Sequence, residues 1–417
     1  ACMRVTSVVS RPRSCSVKTM NLARGAELKQ KGTFFGNGWA TPRARLPADE
    51  DDGGEREESP STGGEASLPA MEPFSGQSVP LERWMGENED ILWDVPLQHT
   101  TVPGTHDSGA YYLSRRRMVK GSAIPGYLRK MTAAMWPILG SVVKNWGTAQ
   151  TLTIYEQLAA GARYLDLRIV RDKKGNFYVC HGNYGPRLEE ILENIARFCA
   201  NYPSEAIVVD INHYYSFRGK ADHVQLLRLL EATLGPHLAP PSLRDPATRL
   251  VSYGRLREAG KQIVLLYGGA DFLGVAHAAL EVGCWGRTQR DIVSVWPRAA
   301  SVSRLEERLL ILDEHSQRRP RPCFFVLQGV VTPGRGAIAK GFIPGASASL
   351  RSVAKRVTPA VVQLVRSGRL RARGCIVMVD HLTPEVGAQL VAAALEGAAG
   401  SRRGGGGERR GRKTPAE

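Results

Sequence analysis

Short apolar runs alternate with amphipathic segments along the middle of the chain. The runs rich in valine and isoleucine predict strands at LQHTTVPG, RYLDLRIV, NFYVCHG, AIVVDINHYY, KQIVLLYGG, CFFVLQGVV and CIVMVDHL, with an eighth near DIVSVW. Helices are predicted at TIYEQLAAG, LEEILENIARFCANYP and HVQLLRLLEATLG, and near 303–315, 349–367 and 384–397. Strands and helices therefore alternate over most of the chain.

This alternation predicts an α/β fold with a parallel sheet and helical crossovers. Seven or eight strand–helix units favour a TIM-type (β/α)₈ barrel, irregular in places, over a doubly wound sheet. No GxGxxG motif follows the first strand, so the dinucleotide-binding form of the doubly wound fold lacks its fingerprint.

Composition divides the chain into three parts. Residues 1–75 include ADEDDGGEREESPSTGGEAS and are predicted to be a disordered leader, while 396–417 are predicted to be a basic low-complexity tail. The net charge is +16, and most of it falls on the predicted barrel, 76–395. A basic barrel favours a polyanionic partner, which could be an anionic membrane surface, a phosphorylated substrate or a nucleic acid.

The cysteine pattern bears on the compartment. Seven cysteines are spread singly, with no CxxC pair, which argues against a disulfide scaffold or a structural zinc site. The first residues lack the apolar core of a signal peptide, and no run of eighteen apolar residues follows. We therefore expect a cytoplasmic protein that contacts membranes only peripherally.

Polar residues recur at the carboxyl ends of the predicted strands, where active sites of such barrels form. The residues concerned are His106 and Asp107, Asp166 and Arg168, His181, Asn212 and His213, and Asp380 and His381. In RYLDLRIV, Asp166 and Arg168 share one face of the strand, so they are predicted to be an ion pair or a functional pair. A single histidine in a loop is more often structural than functional.

Two histidines and an arginine without a metal motif are suited to phosphodiester cleavage by an internal hydroxyl. One imidazole removes the proton of the nucleophile, the other protonates the leaving oxygen, and a guanidinium stabilises the charge on phosphorus. The sequence has no HExxH and no GxSxG motif, so neither the zinc-protease pattern nor the nucleophile elbow is present.

The segments VPGTHDSGAYY, LTIYEQLAAGARYLDLRI, FYVCHGNYG and YPSEAIVVDINHYY resemble, in order and spacing, the X domain of phosphatidylinositol-specific phospholipase C. The resemblance covers about 81–395 and is nearest to eukaryotic X-domain-containing proteins. It implies that His106 is the general base toward the inositol 2-hydroxyl and His181 the general acid toward the diacylglycerol oxygen. It also implies that Asp107 supports a histidine and that Arg168, beside Asp166, contacts the phosphate.

The same resemblance implies that no metal cofactor is needed. Calcium-dependent animal enzymes place a carboxylate where this chain has Arg168, and bacterial members place an arginine there. The expected product is a cyclic inositol phosphate. Bacterial members hold the inositol ring with a basic side chain where this chain has Asn212 or His213, so these two residues are predicted to contact the headgroup. Asp380 is predicted to lie in the site and to orient His106.

Three alternatives stay open at this point. The first is a catalytically weak barrel that binds phospholipid headgroups or a protein. The second is a metal-dependent glycerophosphodiester phosphodiesterase, although Arg168 stands where that class needs an acidic metal ligand. The third is nucleic-acid binding, which lacks interleaved basic and aromatic residues.

Overall fold

The computed structural model describes residues 79–115, 117–119, 136–271, 274–317, 323–340 and 348–404. The ten strands are β1 Val102–Thr105, β2 Tyr164–Arg171, β3 Phe177–His181, β4 Asn183–Arg187, β5 Ile207–Tyr215, β6 Ile263–Tyr267, β7 Trp285–Gly286, β8 Ile292–Ser294, β9 Phe324–Gly329 and β10 Ile376–Val379. The predicted leader, 1–75, lies outside the described residues.

Helices follow most of these strands. The α-helices are α1 Glu89–Leu92, α2 Trp136–Gly147, α3 Ile154–Ala159, α4 Leu188–Asn201, α5 Lys220–Leu234, α6 Tyr253–Glu258, α7 Ala276–Val282, α8 Val302–Gln317, α9 Arg335–Lys340, α10 Leu350–Arg366 and α11 Pro384–Gly404. Short 3-10 helices are Leu81–Arg83, Gly86–Asn88, Leu97–His99, Gly235–His237, Pro241–Leu243 and Gly268–Asp271.

Eight strands form one parallel sheet in the order β7-β6-β5-β2-β1-β10-β9-β8. One buried apolar cluster contains side chains from all eight of them, and in it Trp285 of β7 contacts Phe324 of β9 near the other end of the order, so the sheet curls around a common interior. The members from the strands are Val102, Tyr164, Val208, Val264, Leu266, Trp285, Ile292, Phe324, Val326, Ile376 and Met378. The sheet is the TIM-type barrel that the sequence predicted.

The alternate residues of the same strands face outward. Leu165 and Leu167 of β2 pack with α4 and α5 residues in a second cluster, while Val377 and Val379 of β10 pack with α8, α10 and α11 in a third. The period-two alternation of a strand therefore gives each strand two buried faces, one toward the barrel interior and one toward the helices.

The barrel is irregular at one seam. Within the described part of the chain, β7 and β8 share no ladder pairing, and only residues 287–291 connect them. Trp285 of β7 nevertheless contacts Phe324 of β9, with ring centroids 6.3 Å apart. Side-chain packing thus closes the interior where backbone pairing stops.

A hairpin extends the barrel on one side. Strand β2 is eight residues long, and β3 returns antiparallel to its second half, with Ile169 opposite Val179. Strand β4 then pairs with β3. The return strand ends at His181, which brings this residue back to the end of the barrel where β1 ends.

An ion pair anchors the opposite end of the barrel. Arg163, directly before β2, donates from Nε to Glu205 Oε2 at 2.8 Å, and both side chains are fully buried. Arg163 Nη2 also donates to the carbonyls of Leu81 and Glu82, and Glu205 Oε1 accepts from Gly86 N–H. The pair therefore fixes residues 81–86 beneath the barrel.

The structure confirms the barrel and corrects several details. Pairing in LQHTTVPG starts only at Val102, since Leu97–His99 form a 3-10 turn. His181 was predicted to end a parallel barrel strand, but β3 belongs to the antiparallel hairpin. Strands β4 and β7 were not predicted because NYGPR and WG lack an apolar run. Helix α11 continues to Gly404, into the predicted tail, and residues 405–417 lie outside the described residues.

Among the described residues, none of the helices combines the length and the apolar character needed to cross a membrane.

Replacing Glu205 by Gln is expected to lower the free energy of unfolding by about 3–5 kcal/mol, because Arg163 would keep a buried charge without a counter-ion. Equilibrium unfolding in urea measures this change. The matched control is Glu189→Gln, which breaks an ion pair with Arg187 whose side chains are 51% and 35% exposed. A change within about 0.5 kcal/mol is expected there, and equal losses in the two variants would contradict the anchoring role of Glu205.

Candidate active site

The loop after β1 presents two neighbouring residues at the carboxyl end of the barrel. Asp107 has a φ of 42°, in the left-handed region, which costs a non-glycine residue free energy unless its surroundings hold it. Here the Asp107 N–H donates to Asp166 Oδ2 at 3.0 Å, and Ser108 N–H donates to the Asp166 carbonyl at 2.8 Å. Strand β2 thus sets the conformation of the loop that carries His106 and Asp107.

His106 is held by the last strand of the barrel. Its Nδ1 lies 2.8 Å from Asp380 Oδ1, and since a carboxylate accepts, Nδ1 carries the proton. The Gln150 amide donates to the carbonyls of His106 and Val379, at 3.0 and 3.1 Å, and so ties the ends of β1 and β10 together. The orientation of the His106 ring is therefore fixed through both side chain and backbone.

The Asp107 carboxylate contacts three groups at once. Its Oδ2 lies 3.2 Å from His106 Nε2 and 3.3 Å from His181 Nδ1, and its Oδ1 lies 2.7 Å from Arg168 Nε. The side chain is only 1% exposed, so these contacts are poorly screened by water. Asp107 is the one carboxylate in direct contact with both imidazoles among the described residues.

His181 reaches the site from the hairpin. Its Nδ1 donates to the Gly147 carbonyl at 2.8 Å, which places the proton of the neutral ring on Nδ1. The centroids of the His106 and His181 rings are 6.0 Å apart, in an edge-to-face arrangement. The two imidazoles therefore lie next to each other, with Arg168 Nη2 3.2 Å from His106 Nε2.

A bulge in β5 brings Asn212 into the site. The register between β2 and β5 shifts after Leu167, so that Arg168 is opposite His213 and Asn212 has no partner in the ladder. The Asn212 amide donates to Asp166 Oδ1 at 2.5 Å and to Asp210 Oδ2 at 3.3 Å. Its side chain thus faces the carboxylates, while His213 is exposed and stacks with Tyr215.

The protonation states of the two histidines differ. Burial would lower the pKa of His106, but the charges of Asp107 and Asp380, together with the Asp380 hydrogen bond, outweigh it and raise the pKa to about 9. Burial lowers the pKa of His181, and the Asp107 charge only partly offsets it. The pKa of Asp166 is lowered to about 2 because Arg168, His106 and Asn212 outweigh its burial. At neutral pH the resting site holds its proton on His106.

Three side chains could in principle surround a metal ion. Ligand atoms of His106, Asp107 and Asp166 lie within 4.8 Å of one another. The Arg168 guanidinium, however, already lies against all three, 3.9 Å from Asp166 Oδ2 and closer to the other two. A divalent cation would have to displace a positive group that is ion-paired there, so these residues do not fit one.

All eight residues that the sequence singled out as site residues lie around this end of the barrel. Seven are linked by contacts: His106, Asp107, Asp166, Arg168, His181, Asn212 and Asp380. His213 lies at the edge, with its Nδ1 2.5 Å from Asn212 Oδ1. The side chain of His381 is buried, and the backbone N–H of His381 donates to the Ala149 carbonyl.

Sequence reasoning missed four further residues. Asp210 and Arg287 form a bidentate pair beside Asn212, the Trp296 ring lies 5.6 Å from the His106 ring, and Gln150 holds the strand ends. An Asp inside the apolar run VVDIN gave a signal for Asp210. Arg287, Trp296 and Gln150 lie in irregular segments, where no periodicity predicts which way a side chain points.

The chain is similar to several known proteins in sequence. Residues 141–266 match the family model described as "Phosphatidylinositol-specific phospholipase C, X domain". The human "PI-PLC X domain-containing protein 3" is 28% identical over 290 residues, which cover 69% of this chain and 84% of that protein. The mouse "PI-PLC X domain-containing protein 1" is 36% identical over 183 residues, which cover 41% and 52%.

Solved structures are similar in fold. The phosphatidylinositol-specific phospholipase C of Listeria monocytogenes superposes with a TM-score of 0.52 at 17% identity, covering 76% of this chain and 99% of that one. A Staphylococcus aureus phosphatidylinositol-specific phospholipase C carrying pentafluoro-Phe gives a TM-score of 0.52 at 17% identity, covering 76% and 98%. Together these findings show a match to the X domain of phosphatidylinositol-specific phospholipase C over residues 141–266 and a similarity of this chain to PI-PLC X domain-containing proteins.

Proposed function

We propose that the protein is a phosphoric diester hydrolase that cleaves phosphatidylinositol or a related phospholipid without a metal ion. The observation that carries the proposal is the position of the buried His106 ring, the partly buried His181 ring and the Arg168 guanidinium around a single carboxylate, Asp107, at the mouth of the barrel. This set of groups supplies a base, an acid and a cation for the phosphate at one end of the barrel.

In the proposed reaction, His106 Nε2 takes the proton of the inositol 2-hydroxyl, and that oxygen attacks phosphorus. The bond from phosphorus to the diacylglycerol oxygen breaks, and His181 gives that oxygen a proton. The products are a cyclic inositol phosphate and diacylglycerol. Asp380 holds the base in orientation through Nδ1, and Arg168 balances the charge that grows on the phosphoryl oxygens.

Arg168 supports a mechanism without calcium. The guanidinium is ion-paired to Asp107 within the cluster, and its pKa is raised because Asp107 and Asp166 outweigh the effect of its burial. It therefore keeps its positive charge across the physiological pH range. A planar cation with several N–H donors suits phosphate oxygens, so it supplies the charge that a metal would bring.

The resting protonation state has a kinetic consequence. His106 must be neutral to act as a base, and His181 must be protonated to act as an acid, which is the reverse of the resting distribution. Only the minor form, with the single proton on His181, is reactive. A bound phosphodiester anion beside His181 would favour that form by attracting the proton.

The resting proton on His106 favours a second candidate function. A barrel that keeps its proton on His106 presents His106 and Arg168 as two cations to a phosphate and can bind a phospholipid headgroup with little turnover. Contact with the membrane would be peripheral in either case. Turnover, rather than binding, separates the two functions.

Replacing His106 or His181 by Ala is expected to lower the release of cyclic inositol phosphate from phosphatidylinositol vesicles by about 10²- to 10⁴-fold, since each change removes one proton-transfer group. Phosphorus NMR of the released products, with EGTA present throughout, measures the rate. The matched control is His277→Ala, whose side chain is 84% exposed on α7, and its rate should equal that of the unmodified protein.

Two outcomes of this assay would count against the proposal. Equal rates in all the variants would contradict the acid–base mechanism. If the unmodified protein releases no cyclic inositol phosphate, the headgroup-binding barrel is favoured. A strict requirement for calcium would overturn the assignment of Arg168 as the charge that replaces the metal.

The acid–base pair also predicts a bell-shaped dependence of kcat/KM on pH. The reactive form holds one proton on the imidazole pair, so activity falls below the lowered pKa of His181 and above the pKa of His106, about 9.

Asp380→Asn removes a charge and weakens the hydrogen bond that raises the His106 pKa. We expect the alkaline limb to move down from about 9 and the acid limb to stay. An alkaline limb that does not move would contradict the role of Asp380.

A further inference from the structure

The described part of the connection from β1 to β2 contains two α-helices, although one crossover helix is enough to join two parallel strands. Helix α3 is the crossover helix, since its Ile154 and Leu158 pack with β2 and α4 in the cluster outside the sheet. None of the described α2 side chains belongs to that cluster, and the last residue of α2, Gly147, lies against the hairpin instead. Helix α2 therefore adds a helix end to the mouth of the barrel.

This helix end carries a backbone carbonyl that the helix itself leaves free. The last four carbonyls of an α-helix have no partner within it, and the Gly147 carbonyl accepts from His181 Nδ1 at 2.8 Å. Asp107 Oδ2 lies farther from the same nitrogen, at 3.3 Å, and has no hydrogen-bond partner among the described residues. The Nδ1 proton is thus directed to the helix end, and Asp107 acts on the ring through its charge.

The close approach of α2 to the hairpin requires a glycine at position 147. A Cβ on this residue would lie 2.8 Å from the His181 carbonyl oxygen and 3.0 Å from Leu113 Cδ1. A Cβ does not approach a backbone oxygen so closely, so the helix end or the hairpin would have to move. The φ of Gly147 lies outside the left-handed region. An alanine there is therefore opposed by these contacts and not by its own backbone.

The end of α2 is also held on its other side. Ala149 N–H, two residues after the helix, donates to the Ala110 carbonyl in the loop after β1 at 3.1 Å. Four buried side chains, against which Trp146 of α2 packs, form a small cluster there: Ala110, Leu113, Ala149 and Leu350. Since Leu350 begins α10, the loop after β1 and α10 fix the position of the Gly147 carbonyl independently of His181.

A carbonyl in this position suits a general acid. The protonated ring carries a proton on each nitrogen, and it gives the Nε2 proton to the leaving oxygen. The proton that remains must then stay on Nδ1, where the Gly147 carbonyl accepts it before and after the transfer. The hydrogen bond therefore fixes the ring in the tautomer that proton donation from Nε2 leaves behind.

The helix end also favours the charged form of the ring, since the carboxyl end of an α-helix carries partial negative charge. Burial lowers the pKa of His181, and the charge of Asp107 raises it. The charges of Arg168 and His106 lower it again, and the hydrogen bond to Gly147 raises it. Gly147 thus supports the acid in the direction that its burial opposes.

We propose that Gly147 is the positioning residue of the acid: its carbonyl, at the end of α2, keeps the Nδ1 proton of His181 and leaves Nε2 for the leaving oxygen. The inference rests on the proposed function for the role of His181 as an acid. It assigns two different roles at this ring, since Gly147 sets the tautomer and the orientation whereas Asp107 supplies charge.

Gly147→Ala in the full chain tests the inference with two readouts. Nitrogen-15 NMR of the His181 ring, recorded well above its pKa, should show the Nδ1–H tautomer alone in the unmodified protein and a mixture with the Nε2–H tautomer in the variant. On phosphatidylinositol vesicles, kcat should fall at least about tenfold with KM unchanged, because the displaced ring is used in the reaction and not in binding. The acid limb of the pH profile should move to lower pH, since a bond that raises the His181 pKa is lost.

The matched control is Gly235→Ala, at the end of α5, where an added Cβ would meet only Glu231 Cγ, at 3.9 Å. It should change neither the tautomer nor kcat. If the His181 ring of Gly147→Ala stays in the Nδ1–H form, the proposal is overturned, whatever the rate of that variant.

Asp107→Asn decides the question if Gly147→Ala does not fold. This substitution removes the charge beside the ring and leaves the Gly147 carbonyl in place. His181 should therefore keep its single Nδ1–H tautomer while its pKa falls. Loss of that tautomer in Asp107→Asn would assign the Nδ1 proton to Asp107 and overturn the proposal.

The tautomer is measured without turnover, which separates this inference from the proposed function. If the unmodified protein cleaves no phosphatidylinositol while the tautomer changes in Gly147→Ala as stated, the proposed function fails and the orientation of His181 by Gly147 stands. If phosphatidylinositol is cleaved while the tautomer does not change, the reverse holds.

Discussion

The contact on which the rest of the site depends is the Asp107 carboxylate shared by His106, His181 and Arg168. A buried carboxylate without such partners would cost several kcal/mol, and so would each buried cation without the carboxylate. The four groups therefore stabilise one another in a single arrangement. Because Asp107 touches both imidazoles, any change at one ring is felt electrostatically at the other, which couples the proposed base to the proposed acid.

The barrel holds this carboxylate in place through its backbone. Asp107 lies in the left-handed region, and the donation of its N–H to Asp166 Oδ2 stabilises that conformation. The Gln150 amide donates to the carbonyls at the ends of β1 and β10. The loop that carries His106 therefore stays next to Asp380, which orients the His106 ring. The ion pair between Arg163 and Glu205 anchors the far end of the barrel. A rigid scaffold therefore positions a site whose residues come from five strands and the loops after them.

The alternation of apolar runs with amphipathic segments predicted the barrel, because seven of its eight strands lie in such runs and only β7 does not. It also predicted which polar residues lie at the mouth, since the carboxyl ends of parallel strands meet there. It did not predict that His181 ends an antiparallel hairpin strand, because a hairpin strand and a barrel strand have the same local pattern of residues. Asp210 lay within a predicted strand, yet its partner Arg287 comes from a turn 77 residues later in the chain. A long-range charge pair of this kind leaves no local signal in the sequence.

The most direct measurement of the central claim is the titration of both imidazoles by NMR, in the unmodified protein and in Asp107→Asn. The substitution keeps the shape of the side chain and removes the charge that raises the pKa of both rings, whereas the effect of burial stays. The account predicts that the His106 pKa falls from about 9 and that the His181 pKa falls further below its ordinary value. A pKa that is unchanged at either ring would contradict the role of Asp107 as the shared carboxylate of the site.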